Sequence, residues 1–264
     1  MEGFDVVKIS YVKELLLKNA REDGRKTMDF RQIKLVTNVI DHAEGSAQID
    51  LGATRVLAAV KLQVEEPMED TPTQGNLMVS SELLPLAHAE FEPGPPSPES
   101  IELARVVDRG IRASETIDLS GLFIEEGKAW TVFIDLYVLN YNGNLFDASM
   151  MAAMAALASA KMPKYDSEKK EGIYTERTEP LKINRIAAST TFAKVDKTIL
   201  LDPNIHEENA ASARVTIAND GSVVRAMQKG LGGSFSPKEI ESLVDVSLSK
   251  YDELRKIVEQ AAGK

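Results

Sequence analysis

Three arginines in the middle of the sequence have the spacing of a single helix face. Arg105, Arg109 and Arg112, here called the arginine stripe, follow one another at i, i+4 and i+7, so on an α-helix their guanidinium groups point in one direction. The apolar residues of the same segment fall on the opposite face: Leu103, Val106, Val107 and Ile111. Aligned guanidinium groups can bind a phosphodiester backbone through paired hydrogen bonds. Spacing alone favours the alternative that they are solvated, or paired with Glu102 and Asp108.

A second candidate for chemistry is a group of acidic residues that follows a predicted strand. Asp202, Glu207 and Glu208, here called the acidic cluster, lie close together with His206 among them. Neighbouring carboxylates can hold Mg²⁺ or transfer protons. Because no second motif accompanies them, the residues by themselves favour a turn with solvated charges.

Composition and charge exclude several kinds of site. The 264 residues include 31 Lys and Arg against 41 Asp and Glu, which gives a net charge of −10. The chain has no cysteine, which excludes disulfides, thiolate-bound metal and a thiol nucleophile. Because a net negative charge repels a polyanion, any contact with nucleic acid must be local.

No segment is typical of secretion or of a membrane span. The N-terminus lacks the basic and apolar regions of a secretory signal. The longest apolar run, residues 148–160, is shorter than the ~20 residues that a membrane-spanning helix needs. We therefore expect a cytoplasmic protein without a membrane partner.

The spacing of apolar residues predicts a first group of strands and helices. In order, the elements are a helix over residues 4–20 with Asp5 as its N-cap, strands over 33–40, 47–51 and 55–64, a helix over 99–113 after Ser97-Pro98, a strand over 129–139, and a helix over 148–158 with Asp147 as its N-cap. The last helix is apolar nearly all round, so we expect it to be buried between other elements.

A second group of elements follows the charged segment 161–179, which we take as the internal boundary. Strands are predicted over residues 181–192, 197–201, 213–218 and 222–227, and a C-terminal helix begins at the capping box Ser236-Pro237-Lys238-Glu239. Strands ahead of helices, twice over, indicate an α+β fold. We expect an N-terminal helix and opening segment over residues 1–30, a first half over 31–165 and a second half over 180–264.

The chain also contains short motifs that match those of a known family. They are Arg21-Glu22-Asp23-Gly24-Arg25, Gly45-Ser46-Ala47, the stretch from Gly52 through Thr54 to Val60, and residues 102–109, 144–157 and 200–203. Together they resemble the ribonuclease PH family over most of the chain, and more narrowly its non-catalytic members in the archaeal exosome.

The resemblance implies a ribonuclease PH-like fold and a role in an assembly. Such subunits alternate with a catalytic ribonuclease-PH-type paralogue, three copies of each, in a hexameric ring that carries RNA-binding cap proteins. The ring degrades single-stranded RNA phosphorolytically from 3′ to 5′, with its active sites at the interface between unlike subunits. By this resemblance Arg105, Arg109 and Arg112 are the RNA-binding residues.

Departures from the active pattern imply a subunit without catalytic residues, metal or cofactor of its own. Active members carry an arginine in the phosphate loop, where this chain reads Gly143-Asn144-Leu145, and a metal-binding aspartate at a place that falls near Arg214. Two alternatives remain at this point. One is an active homo-hexamer that uses the acidic cluster with Mg²⁺. The other is a scaffold without RNA contact, in which the arginine stripe pairs across a subunit interface.

Overall fold

The computed structural model describes residues 2–263, and within that range the chain forms five α-helices and twelve strands. The helices are Glu2–Leu17 (α1), Pro98–Ala113 (α2), Leu145–Ser159 (α3), Ile205–Ala210 (α4) and Pro237–Ala261 (α5), with a short 3₁₀ helix at Ser120–Leu122. The strands are Ile33–Thr37 (β1), Gly45–Leu51 (β2), Thr54–Glu65 (β3), Asn76–Leu83 (β4), Phe123–Glu125 (β5), Lys128–Asn140 (β6), Lys161–Asp166 (β7), Glu171–Pro180 (β8), Ala188–Val195 (β9), Thr198–Leu201 (β10), Ala213–Asn219 (β11) and Val224–Gly230 (β12). The predicted α+β class is confirmed.

The first sheet has the strand order β1-β2-β3-β6-β4, with β5 added to β6. Its first three strands form the predicted antiparallel meander, in which Gly52 and Ala53 make the turn between Leu51 and Thr54. Alternate residues of β3 are completely buried: Val56, Ala58, Val60 and Leu62. Strand β4 was missing from the sequence prediction, because it pairs in parallel with the distant β6 and no neighbouring turn marks it.

The second sheet has the order β10-β9-β11-β12 and is antiparallel throughout. Helix α5 begins at the predicted capping box, in which Ser236 Oγ accepts from the Glu239 N–H and the Glu239 carboxylate accepts from the Ser236 N–H. Its first half packs through Leu243 against this sheet, whereas Leu254 and Val258 reach the larger core of the first sheet. Strand β9 starts at Ala188, later than predicted.

Helix α3 lies at the centre of the molecule. Every residue from Phe146 to Ala158 is buried, because the helix contacts β2 and β3 on one side and β9, α2 and α5 on others. Its small side chains permit this close approach of a sheet. The predicted N-cap was wrong: Asn144 is the N-cap, and Asp147 lies inside the first turn. Among the described residues no helix is both long and apolar enough to cross a bilayer.

One further sequence expectation needs correction, and the structure adds detail to another. The charged segment taken as the internal boundary is itself a hairpin, formed by β7 and β8, whose Arg177 donates to the carbonyls of His42 and Ala43. Helix α1 begins at Glu2, ahead of Asp5, the predicted N-cap. The division at residues 165 and 180 stays a prediction.

The contact between α3 and β2 provides a stability test at Gly45. A Cβ at this position would lie 2.2 Å from the Ala156 carbonyl oxygen and 2.7 Å from the Ala160 Cα atom. We expect Gly45→Ala to lower the free energy of unfolding in urea by about 1–3 kcal/mol, because overpacking forces the helix away from the sheet. Gly232→Ala is the matched control, since its Cβ would have no heavy atom within 4 Å; equal losses from the two variants would contradict this account.

Candidate nucleic-acid interface

The arginine stripe lies on the solvent-exposed face of α2. The helix begins as predicted, with Ser97 as N-cap and Pro98 as its first residue, so the stripe occupies its middle and last turns. All three arginines are exposed, while Leu103, Val107 and Ile111 on the opposite face are buried. The periodicity therefore predicted correctly which way the guanidinium groups point.

The stripe is only partly paired. Arg112 Nε donates to both carboxylate oxygens of Asp108 at 2.9 Å, and Arg112 Nη2 donates to the Leu77 carbonyl. Arg109 Nη1 donates to Gln228 Oε1 at 3.1 Å across to β12. Of the two acids considered as partners in the sequence, Asp108 does pair with the stripe, whereas Glu102 pairs with Arg214 instead.

The guanidinium groups border two shallow cavities. One, of about 550 Å³, is lined by all three arginines together with Val79 of β4. The other, of about 420 Å³, lies toward β12 and is lined by Arg105, Arg109 and the apolar Ile101 and Val106 of α2. Cavities lined by exposed guanidinium groups suit the phosphates of a nucleic acid.

Two members of the acidic cluster, Asp202 and Glu207, are buried and Glu208 is half-buried, so the expected turn with solvated charges is wrong. Asp202 is 0% exposed and accepts hydrogen bonds from five donors: Arg31 N, Nε and Nη2, Arg25 Nη1 and Asn144 Nδ2, at 2.7–3.0 Å. Burial by itself would raise the pKa of Asp202, but the hydrogen bonds and charge of Arg31 lower it below the usual range.

Glu207 makes a second buried ion pair with the opening segment. Arg21 Nε and Nη2 donate to its two carboxylate oxygens at 2.8 and 2.6 Å, and each side chain is 1% exposed. Its Oε2 also accepts from the Asn204 N–H, in the capping box of α4. The arginines of the Arg21–Arg25 motif thus join the start of the chain to the second sheet.

Arg31 and Thr54 hold the loop that precedes α3. Arg31 Nη1 donates to the Asn142 carbonyl at 2.6 Å and Nη2 to the Gly143 carbonyl at 3.1 Å, while Thr54 Oγ1 donates to the Gly143 carbonyl at 2.6 Å. Gly143 has φ of +83°, and a Cβ there would lie 2.5 Å from the Pro203 carbonyl oxygen. The loop therefore needs glycine both for its conformation and for its contact with the second half of the chain.

Asp147 anchors the first turn of α3 to β9. Its carboxylate accepts from Ser189 Oγ, Thr191 Oγ1, the Thr191 N–H and Asn144 Nδ2, all at 2.8–2.9 Å. Burial raises the pKa of Asp147 to about 6 even though these donors favour the charged form. The Asp147 side chain is fully buried, so it holds α3 against β9 and does not contact solvent.

A cleft of about 810 Å³ lies on the other side of α2, lined by β4, the loop after it and the start of α3. Leu145 and Arg214, at the two places where the sequence departs from the active pattern, both line it. Arg214 Nη2 lies 2.9 Å from Glu102 Oε1, and its guanidinium lies over the Phe146 ring at 4.2 Å. Glu208 lines the same cleft.

Sequence reasoning overlooked Arg31 and Tyr141, which lie in none of the recognised motifs, and it noted Asn144 only for its place in the phosphate loop. Tyr141 and Asn144 donate to Glu208, and Arg31 pairs with Asp202. One signal was available. The opening segment carries three arginines close together, which matches in number and opposes in charge the three carboxylates of the acidic cluster. Buried charges occur in pairs, so two such groups are candidates for mutual contact.

Comparisons with known proteins agree on one family. The model described as "3′ exoribonuclease family, domain 1" matches residues 29–163, and the "domain 2" model of the same family matches residues 185–250. Among curated relatives, the exosome complex component Rrp42 of Thermococcus gammatolerans is 46% identical over 96% of this chain and 94% of its own length. That of Methanothermobacter thermautotrophicus is 43% identical over 92% of this chain and 91% of its own length.

Solved structures are similar over almost the whole chain. A chain of the Archaeoglobus fulgidus exosome with RNA bound to the active site superposes with a TM-score of 0.89 at 44% identity, covering 96% of this chain and 98% of that one. A chain of an archaeal exosome core gives 0.85 at 40% identity, covering 97% and 98%. Rice Rrp46, at 18% identity over 92% of this chain and 100% of that one, gives 0.70 and agrees in fold.

The buried pair of Arg31 and Asp202 provides a second stability test. We expect Arg31→Met to lower the free energy of unfolding by about 3–5 kcal/mol, because it leaves the Asp202 carboxylate buried without its main partner. Adding Asp202→Asn should recover part of that loss, since it removes the uncompensated charge. Arg55→Met is the matched control: Arg55 pairs with Asp50 at 2.6 Å on the surface, where solvent screens the pair. Urea unfolding of the four proteins measures the differences, and a similar loss from both single methionine variants would refute the assignment.

Proposed function

The chain belongs to the ribonuclease PH family of 3′ exoribonucleases, and from that membership we propose that it is a non-catalytic subunit of an exosome ring. Its similarity to exosome components along nearly the whole chain supports this proposal. In the proposed cytoplasmic assembly, three copies alternate with three copies of a catalytic paralogue, and RNA-binding cap proteins dock on the ring. The ring degrades single-stranded RNA phosphorolytically from its 3′ end.

One observation carries the proposal: α2 separates two cavities of opposite suitability for phosphate chemistry. On one side three exposed arginines line a shallow cavity. On the other side, the cleft at the start of α3 is lined by Leu145 and Arg214. The chain therefore has a surface for holding RNA beside a cleft that lacks the groups for cleaving it.

The proposed absence of catalysis follows from what phosphoryl transfer requires. Charge on the transferred group has to be stabilised by cations or metal ions placed around it. Leu145 offers no charge, and Arg214 repels a metal ion and is already bound to Glu102. The carboxylates of Asp202 and Glu207 are surrounded by arginine and backbone donors, which leaves them no free oxygen for Mg²⁺.

The arginine stripe is proposed to bind the RNA backbone and to guide the 3′ end into the paralogue's active site at the shared interface. A net charge of −10 repels RNA from most of the surface, so a local arginine patch determines where the strand can lie. RNA that is held firmly also presents its end in the geometry that the reaction needs.

The two alternatives fit the structure less well. An active homo-hexamer would need the acidic cluster to bind Mg²⁺, but its members are engaged in ion pairs and hydrogen bonds. A scaffold without RNA contact would pair the stripe across an interface. Arg112 already pairs with Asp108 on the same helix. Pairing across an interface would therefore involve only Arg105 and Arg109.

Activity of the separate and mixed subunits tests the non-catalytic role. We expect the purified chain to release no nucleoside diphosphates from poly(A) in the presence of phosphate and Mg²⁺, and activity to appear when a catalytic paralogue is added. Chromatography of the released nucleotides measures the reaction, and native mass spectrometry of the mixture should show three copies of each chain. Phosphate-dependent degradation by the chain alone, free of contaminating nuclease, would refute the proposal.

Salt dependence of RNA binding tests the arginine stripe. Arg109→Glu should weaken the binding of single-stranded RNA to the assembled ring and flatten the slope of log K against log salt by ~0.7, because one phosphate contact is lost. The loss should be similar for unrelated RNA sequences, since phosphates carry no sequence information.

Fluorescence anisotropy at several salt concentrations measures both quantities. Arg55→Glu is the matched control, because it makes the same charge change at an exposed arginine that pairs with Asp50 on the β2–β3 hairpin, and neither residue lies on α2. A wild-type slope in the Arg109 variant, or an equal effect from the control, would contradict RNA binding by the stripe and favour the alternative in which its arginines are solvated or paired with acids.

A further inference from the structure

A carboxylate of the chain itself occupies the N-terminus of α3 inside the cleft. Glu208 Oε1 accepts a hydrogen bond from the Asn144 N–H at 2.8 Å, and Oε2 accepts from the Tyr141 hydroxyl at 2.7 Å. Asn144 is the N-cap of α3, and Glu208 lies on α4, which belongs to the second half of the chain. Both oxygens of the carboxylate are therefore bound by groups from the first half.

These groups are the ones that would hold a free oxyanion. The N-terminus of a helix carries a partial positive charge and presents backbone N–H groups, and hydrogen bonds to an ionised acceptor are stronger than neutral ones. Arg214 lines the same cleft, and its charge favours the ionised form of Glu208. A phosphate at this position would meet an N–H, a hydroxyl and a guanidinium group.

The carboxylate of Glu208 is half-buried at the wall of the cleft. Burial raises the pKa of Glu208, against the hydrogen bonds from Tyr141 and Asn144 that favour its charged form. Burial also raises the pKa of the Tyr141 hydroxyl, and the neighbouring Glu208 charge adds to the shift. Such mutual effects arise when two ionisable groups are in contact and partly removed from water.

We propose that Glu208 acts as an internal anion, which fills the oxyanion position at the N-terminus of α3 and keeps inorganic phosphate out of the cleft. The inference rests on the proposed non-catalytic role and deepens it, because it names a residue that blocks the site in addition to the changes at Leu145 and Arg214. It predicts that removing this one carboxylate creates a binding site for phosphate.

Thermal unfolding of the purified chain in inorganic phosphate tests the inference, with chloride at equal ionic strength as the reference. Wild-type protein should show no gain in melting temperature specific to phosphate. Glu208→Ala should gain about 2–4 °C in tens of millimolar phosphate, because an anion that binds only the folded state stabilises it. Adding Arg214→Met to that variant should remove the gain, since it deletes the guanidinium group beside the opened position.

Glu90→Ala is the matched control. Glu90 is an exposed carboxylate that lines the same cleft, so its removal changes the charge of the cleft equally but leaves Glu208 in place, and no gain is expected. If Glu208→Ala does not fold, Glu208→Ser opens the same position. A phosphate gain in wild type or in Glu90→Ala, or no gain in the folded Glu208 variant, would overturn the inference. The non-catalytic role itself is tested separately, because it fails if the wild-type chain degrades RNA by itself, whatever the phosphate measurements show.

Discussion

The buried ion pair between Arg31 and Asp202 is the interaction on which the rest of the structure depends. Two charges can leave water only when protein donors replace most of their lost hydrogen bonds, and Asp202 meets that condition with five donors. Four come from Arg25 and Arg31, ahead of the first strand, and one comes from Asn144, the N-cap of α3. The pair therefore joins three parts of the chain that lie far apart in the sequence.

The same pair determines where α3 begins. The remaining N–H groups of the Arg31 guanidinium donate to the carbonyls of Asn142 and Gly143. Arg31 therefore fixes the position of the loop before the helix. The helix that follows is buried along almost its entire length and packed against both sheets. Because close-packed interiors deform little, the groups at its N-terminus keep their positions, and the cleft beside them has a defined shape.

Charge is distributed unevenly over the molecule. Overall the chain is acidic, yet its exposed arginines on α2 lie together, and the buried carboxylates are neutralised by arginines from the opening segment. The charge along α2 also changes sign, from the negative Glu99 and Glu102 in its first turns to the positive arginine stripe. In the proposed role, this pattern attracts RNA to the arginine stripe and repels it elsewhere, which directs a strand without raising the affinity of the whole surface for RNA.

The sequence by itself determined the features that depend on local pattern. Periodicity predicted the exposed face of α2, the burial of α3 and most strands of both sheets, and Ser97 and Ser236 marked helix starts correctly. The motifs identified the family. These predictions succeed because a helix face or a capping box is formed by residues within a few positions of one another.

Only the tertiary structure decided which charges pair and which side chains fill the cleft. Asp202 and Glu207 looked like solvated turn residues, and Asp147 looked like an N-cap, because the donors that surround them lie on segments distant in the chain. The parallel strand β4 was overlooked for the same reason. Sequence spacing reports burial and period along one segment, whereas the partner of a buried charge is set by how separate segments meet in space.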